Sequence, residues 1–302
     1  MTRRILACLC VIVGVLSTAC GTTDSPRAGE IVVTTNILGD VVRNIVGDAA
    51  TVRVLMQPNA DPHSFGVSAR DAAVMEGAGL IVYNGLGLEE NILRNVESAA
   101  AEGVPTLSVG ERIDPLQYAT GDDAGNPDPH FWTDPQRMII AVDAIEEAVR
   151  EVAGIDGGEV SGNPESYRAQ LRELDTAMGD GFDSIPADRR KLVTNHHVLG
   201  YLAHRFGFTV IGAVVPSGTT LAAPSAADLQ SLVGAITSAR VPAIFVDSSQ
   251  PEKLARVLAE EAGVDVAIVS LYSESLSPPG TPAATYLDMM RANTDAIVAG
   301  LR

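Results

Sequence analysis

Three of the five histidines, His63, His130 and His196, each follow a short apolar run of β-type residues. Residues 51–56 (TVRVLM) lead into Asp61-Pro62-His63. Residues 105–109 (PTLSV) lead through a loop into Asp128-Pro129-His130, and residues 191–194 end at Asn195-His196. In α/β proteins, ligands sit at the loops that leave the carboxyl ends of strands. Imidazole suits a borderline divalent ion such as Zn²⁺, so three such loops converging on one point would supply most of a tetrahedral or five-coordinate shell. Singly, each histidine reads more readily as a loop or capping residue; their shared placement is what suggests a metal cage.

Those loops need strands and helices to hold them, and the chain alternates the two. Strand-like segments at 30–35, 51–56, 80–84 and 105–109 alternate with helix-like segments at 38–46, 68–77, 88–101 and 135–152. The second half repeats the scheme, with strands expected at 191–194, 209–215, 243–247 and 264–271, and helices at 197–206, 225–239, 252–262 and 283–301. Parallel strands require crossover connections, so this order predicts an α/β fold of two lobes, each a mostly parallel sheet flanked by helices. Between the halves, Tyr167, Leu171, Leu174 and Met178 recur at spacings of four, three and four, a single helical stripe. Asn163 before Pro164 gives that helix a cap followed by proline at its first position. The expected division is a signal segment at 1–19, a tether at 20–29, an N-terminal lobe at 30–162, a linking helix at 163–186 and a C-terminal lobe at 187–302.

The N-terminus indicates where the chain works. Arg3 and Arg4 precede a short apolar stretch, and Leu16-Ser17-Thr18-Ala19-Cys20-Gly21 supplies small residues before a cleavage point. The apolar run is shorter than the roughly 20 residues of a permanent membrane span. The residues before Cys20 resemble a bacterial lipobox, in which the cysteine is acylated and becomes the first residue of the mature chain. Cys8 and Cys10 fall in the discarded segment, so no disulfide and no thiolate ligation of a metal is expected in the mature protein. Residues 21–29 (GTTDSPRAG) suit a flexible tether.

The formal charge is −17, and loss of Arg3 and Arg4 with the signal makes it −19. Such an acidic chain is a poor partner for nucleic acid, and its charge reads as solubility rather than as the binding site. Asp61, Asp128 and Asp134 lie near the histidines; each is a candidate acceptor for an imidazole N–H, although Asp-Pro steps also favour turn capping. His197 and His204 are placed on the helix after His196, turned away from it or two turns beyond, and Trp132 is expected to pack between its loop and the helix at 135.

Asp61-Pro62-His63-Ser64-Phe65, Asn84-Gly85-Leu86-Gly87-Leu88-Glu89, Asp128-Pro129-His130-Phe131-Trp132-Thr133-Asp134-Pro135 and Tyr286-Leu287-Asp288-Met289-Met290-Arg291-Ala292-Asn293 occur in this order. Together they resemble the zinc/manganese solute-binding lipoproteins of bacterial ABC importers, the TroA-like family, over nearly the whole chain from Glu30. The resemblance implies two lobes joined by one long backbone helix, with an ion held in the cleft. It implies His63 and His130 as ligands from the N-terminal lobe, and His196, five positions before Tyr201, as the third. The fourth is usually an aspartate after the last strand; aligning that loop puts Glu274 there, one methylene longer. The implied partners are an ABC permease and its ATPase, with the protein a lipid-anchored monomer on the extracytoplasmic face of the membrane.

Three neutral imidazoles and one acid fill a tetrahedral shell and leave no open position, which favours binding over catalysis. Three histidines lean towards Zn²⁺; Mn²⁺ is the alternative, and the loop at 114–129 carries acids but no histidine ahead of Asp128-Pro129-His130. Because the imidazoles must be unprotonated, affinity is expected to fall below about pH 6.5. A secreted metallohydrolase would need an open position and a general base, and no H-E-x-x-H occurs. A dinucleotide-binding reading of Gly85-Leu86-Gly87 meets Glu90 at the third glycine position. A surface adhesion role is compatible with the same fold.

Overall fold

The computed structural model describes residues 30–151, 163–263 and 266–302. The expected signal segment, Cys20 and the tether lie outside the described residues.

Strands β1 (Glu30–Val33), β2 (Thr51–Val54), β3 (Leu80–Tyr83) and β4 (Thr106–Ser108) form one sheet in the order β2-β1-β3-β4, parallel throughout. A second parallel sheet runs β6-β5-β7-β8, from β5 (Lys191–Thr194), β6 (Thr209–Ala213), β7 (Ala243–Asp247) and β8 (Ala267–Leu271). The inner strands are apolar and enclosed: β1 and β7 are buried along their whole length. Helices α1 (Asn36–Val46), α2 (Ala69–Glu76) and α3 (Leu93–Ala101) make the crossovers of the first sheet. Helices α6 (Gly200–Phe206), α7 (Ala226–Ala239) and α8 (Lys253–Ala262) make those of the second, and α4 (Pro135–Arg150) follows the first sheet. Helix starts are set by side-chain caps: Ser68 with Asp71 and Ser225 with Asp228 form capping boxes, while Asp134 caps α4 ahead of Pro135. Strand order reverses between β1 and β3 and between β5 and β7, so each sheet has a topological switch point where a crevice opens.

The linking helix α5 spans Asn163–Asp183 and packs on α1, α4 and α9 (Tyr286–Leu301). Its stripe of Tyr167, Leu171, Leu174 and Met178 is fully buried, with Phe182 continuing it. The helix runs through Gly179 and Gly181. A Cβ at Gly181 would approach Thr294 Cγ2 to 3.1 Å, so the missing side chain allows α5 and α9 to lie close. One hydrophobic core includes Val33 and Val82 of the first sheet, the α5 stripe, and Phe245 and Leu271 of the second. The two lobes therefore share a packed core through α5, which resists wide hinge opening.

Two of the helices that begin later than the sequence pattern predicts do so for reasons that bear on the site. The helix expected at 197–206 starts at Gly200. The Thr194 hydroxyl donates to the His196 carbonyl at 2.5 Å, and the His197 N–H donates to Ser217 O at 3.0 Å, so these groups leave the helical ladder. His196 and His197 thus sit in a bend, not on a helix, and the helical-wheel separation expected for them does not apply. Helix α3 starts at Leu93 rather than 88, because Gly85, Leu86 and Gly87 all take positive φ. That turn wraps the buried Glu89 carboxylate, which accepts from Asn84 N at 2.7 Å, Gly85 N at 3.0 Å and the Thr34 hydroxyl at 2.6 Å. An internal carboxylate occupies the amides that a bound pyrophosphate would need, which removes the dinucleotide reading. Among the described residues, no helix is long and apolar enough to cross a membrane.

Candidate metal centre

The carboxyl ends of the two sheets face one cleft. His63 follows β2, His130 comes in the loops after β4, His196 follows β5 and Glu274 follows β8. The fold brings all four together: each is buried, and one ligand atom from each lies within 4.8 Å of the others. Glu274 Oε1 lies 3.2 Å from His196 Nε2, 3.3 Å from His130 Nε2 and 3.5 Å from His63 Nε2, and the last two nitrogens are 3.4 Å apart. A regular tetrahedron with metal–ligand bonds of about 2.0–2.1 Å has six edges of about 3.3–3.4 Å, and these four separations lie within about 0.2 Å of that. A single carboxylate oxygen faces all three imidazoles.

The supporting groups explain how the Glu274 side chain reaches the cluster at a position where the family resemblance more usually has an aspartate. Ser273, one residue earlier, is held by Asp247, whose Oδ2 accepts from Ser273 N at 3.1 Å and Oγ at 2.6 Å. Trp132 Nε1 donates to Ser273 O at 2.8 Å. Asn36 Nδ2 donates to Ser275 Oγ at 2.8 Å, and Asn36 Oδ1 accepts from Leu276 N at 2.9 Å. The loop is thereby fixed on both sides of Glu274, and the longer side chain reaches the centre from that backbone. Trp132 is buried with its ring 5.2 Å from that of His130, so its indole also serves the Glu274 loop beyond the packing role expected of it.

The three aspartates separate in role. Asp128 Oδ1 lies 2.8 Å from His130 Nδ1 and also accepts from His130 N at 2.9 Å, so it both caps the turn and orients the ring. Asp61 accepts from His63 N at 2.9 Å and from the Ser64 hydroxyl, and makes no contact with the His63 ring, whose Nδ1 is buried without a hydrogen-bond partner among the described residues. Asp134 is spent on capping α4 through Gln136 N. The His196 Nδ1 meets the Asn195 side-chain amide at 3.0 Å. His197 stands beside the cluster against Tyr118, and His204 is exposed.

Tyr118 was not legible from sequence. Its hydroxyl is 3.2 Å from His130 Nδ1, yet it sits in a loop whose only conspicuous feature was acidity. An aromatic residue within that polar loop is the one signal that could have found it.

Burial opposes protonation of His130, but the Asp128 and Glu274 carboxylates outweigh it and carry its pKa up to about 9. Burial likewise opposes ionisation of Glu274, but His196, His130 and His63 overcome it and hold the carboxyl well below the usual range. Asp247 is pushed up by burial and by the neighbouring Glu274 charge. The centre is therefore a buried carboxylate with a protonated imidazole beside it, which a dication with neutral imidazoles would replace.

A family model described as zinc-uptake complex component A, periplasmic, matches residues 31–300. The zinc-binding protein TroA of Treponema pallidum is 32% identical over 99% of this chain and 98% of its own length. The manganese-binding lipoprotein MntA of Halalkalibacterium halodurans is 29% identical over 96% of each. The solved structure of the Treponema pallidum periplasmic zinc-binding protein matches with a TM-score of 0.83, covering 90% of this chain and 99% of that one at 32% identity.

Proposed function

The chain belongs to the family of zinc-uptake complex component A proteins, and from that premise we propose that it captures a divalent transition metal outside the cytoplasm for an ABC importer. His63, His130, His196 and Glu274 are the ligands, and Zn²⁺ is the preferred ion. The observation that carries this reading is the set of separations around Glu274 Oε1, between 3.2 and 3.5 Å, which match a four-coordinate shell of zinc-length bonds. Three imidazoles to one carboxylate also favour zinc over the oxygen-rich shells of Mn²⁺. Manganese is the second reading, supported by the MntA relative.

The four ligands complete the shell and leave no position for a reacting water, so the site binds and does not catalyse. The chain acts as a monomer, and lipid on Cys20 keeps it at the extracytoplasmic face. The N-terminal lobe at 30–162 and the C-terminal lobe at 187–302, joined through 163–186, close on the ion by small local movements. A membrane permease then accepts the ion and its partner ATPase drives import.

The test is metal analysis of the mature chain purified without chelator, followed by competition between Zn²⁺ and Mn²⁺. One zinc per chain, retained against excess manganese and lost in the folded His63→Ala/His130→Ala variant, is the expected result. Equal zinc binding by that variant, or hydrolytic activity of the zinc form, would overturn the assignment.

A further inference from the structure

We propose that Asp123 is a positioning residue for the captured ion: reaching from the N-terminal lobe, it clasps Ser217 and Gly218 within the segment 216–220 of the C-terminal lobe and so sets how fast the ion leaves. The inference rests on the metal-binding reading above.

The loop that carries Asp123 is internally fixed. Tyr118 N donates to Asn126 O at 3.0 Å, Gly125 N donates to Tyr118 O at 2.9 Å, and Gln117 pairs with Pro127 in an antiparallel bridge. From this base the loop crosses the cleft. Asp123 Oδ2 accepts from Gly218 N at 2.7 Å and from Ser217 Oγ at 2.8 Å, and Asp122 N donates to Pro216 O at 2.9 Å. The approach is close enough to require Gly218, since a Cβ there would fall 2.1 Å from the Tyr118 hydroxyl.

The clasped segment touches the support of every histidine ligand. Ser217 O accepts the His197 N–H at 3.0 Å, fixing the bend that presents His196. The Tyr118 hydroxyl bridges Gly218 O at 3.4 Å and His130 Nδ1 at 3.2 Å. At the other end of the segment, the Thr220 hydroxyl donates to Asp61 Oδ2 at 2.6 Å, while Asp61 Oδ1 holds the His63 backbone. For the ion to leave, His196 and Glu274 must separate from His63 and His130. Each bond between 216–220 and the N-terminal lobe opposes that separation, so removing some of them should speed it. Asp123 supplies two of these links, at 2.8 Å to Ser217 and 2.7 Å to Gly218, both to an ionised acceptor, which is the stronger kind of hydrogen bond.

Zinc-loaded mature chain is mixed in a stopped-flow instrument with excess 4-(2-pyridylazo)resorcinol, and the release rate is read from the chelator's absorbance. Asp123→Ala is expected to release zinc about tenfold faster while still folding and binding one ion per chain. Asp123→Asn retains a side-chain oxygen for Gly218 N and Ser217 Oγ, and its release is expected to stay within about threefold of the parent. A release rate in Asp123→Ala within about twofold of the parent would overturn the clasp. So would an Asp123→Asn variant as fast as Asp123→Ala with both metal-free forms destabilised, which is the pattern of a merely structural role. If the parent chain itself binds no zinc, the metal-binding reading fails and the clasp with it.

Discussion

The proton on His130 sets how affinity for zinc depends on pH. Its two carboxylate neighbours, Asp128 at 2.8 Å and Glu274 at 3.3 Å, hold the imidazole pKa up at about 9 in the metal-free cleft, against the opposing effect of burial. A metal ion binding through Nε2 must displace that proton. At pH 7 the group lies two units below its pKa, so proton competition weakens zinc binding about a hundredfold relative to pH 10. The logarithm of the apparent association constant should rise by about one per pH unit from pH 7 to 8.5 and level off above 9. Competition titrations against a chelator of known pH-dependent affinity measure the slope, and calorimetry in buffers of different ionisation enthalpy counts about one proton released per zinc at pH 7.5. Asp128→Asn removes a carboxylate that raises the pKa, so its plateau should begin at lower pH. Affinity that is flat between pH 7 and 9 with no proton release, falling only below about 6.5 as for free imidazole, would refute the reasoning.

The same charges govern the metal-free protein's stability, with opposite signs at the two groups. His130, raised on folding, contributes stability that is complete below its ordinary pKa near 6.5 and is lost as pH rises through about 9, for about 3 kcal/mol in all. Glu274, lowered on folding, contributes stability that is present above the ordinary carboxylate range and is lost as pH falls. Thermal melts of the metal-free chain should therefore decline between pH 7 and 10, with a smaller decline in the zinc form, whose imidazole no longer holds the proton. Glu274→Gln should lower zinc affinity about a hundredfold or more while leaving the fold intact, and Glu274→Asp, one methylene short on a fixed loop, about tenfold; equal affinities by titration would show that the carboxylate is not a ligand. Leu171→Ala, in the shared core, should cost about 2–5 kcal/mol in denaturant unfolding, and a much smaller loss would mean that α5 is not packed as described.

Much of this architecture was legible because its signals are local. Alternating apolar runs located the strands, and the stripe from Tyr167 to Met178 located the linking helix, because a buried helical face must repeat at 3.6 residues. The three histidines were legible from their placement after strands, and Glu274 through the family resemblance alone. What the sequence did not disclose depends on partners distant along the chain. The bend at His196–His197 exists because Ser217 captures an N–H that would otherwise enter a helix. The late start of α3 depends on the buried Glu89, whose role as an internal anion is invisible without Thr34 beside it. The choice among the aspartates was also tertiary: Asp61, Asp128 and Asp134 share similar local sequence, yet only Asp128 touches an imidazole. Tyr118 and Asp123 sit in an irregular loop with no periodicity to read, and their roles appear only once the other lobe is in place.

The most direct measurement is zinc K-edge X-ray absorption on the mature chain loaded with one equivalent of zinc. A four-coordinate shell of nitrogen and oxygen at about 2.0–2.1 Å, with outer-shell scattering from three imidazoles that drops by one in each single histidine variant at 63, 130 or 196, is the predicted result. A six-coordinate shell, or an imidazole count unchanged by those substitutions, would contradict the site.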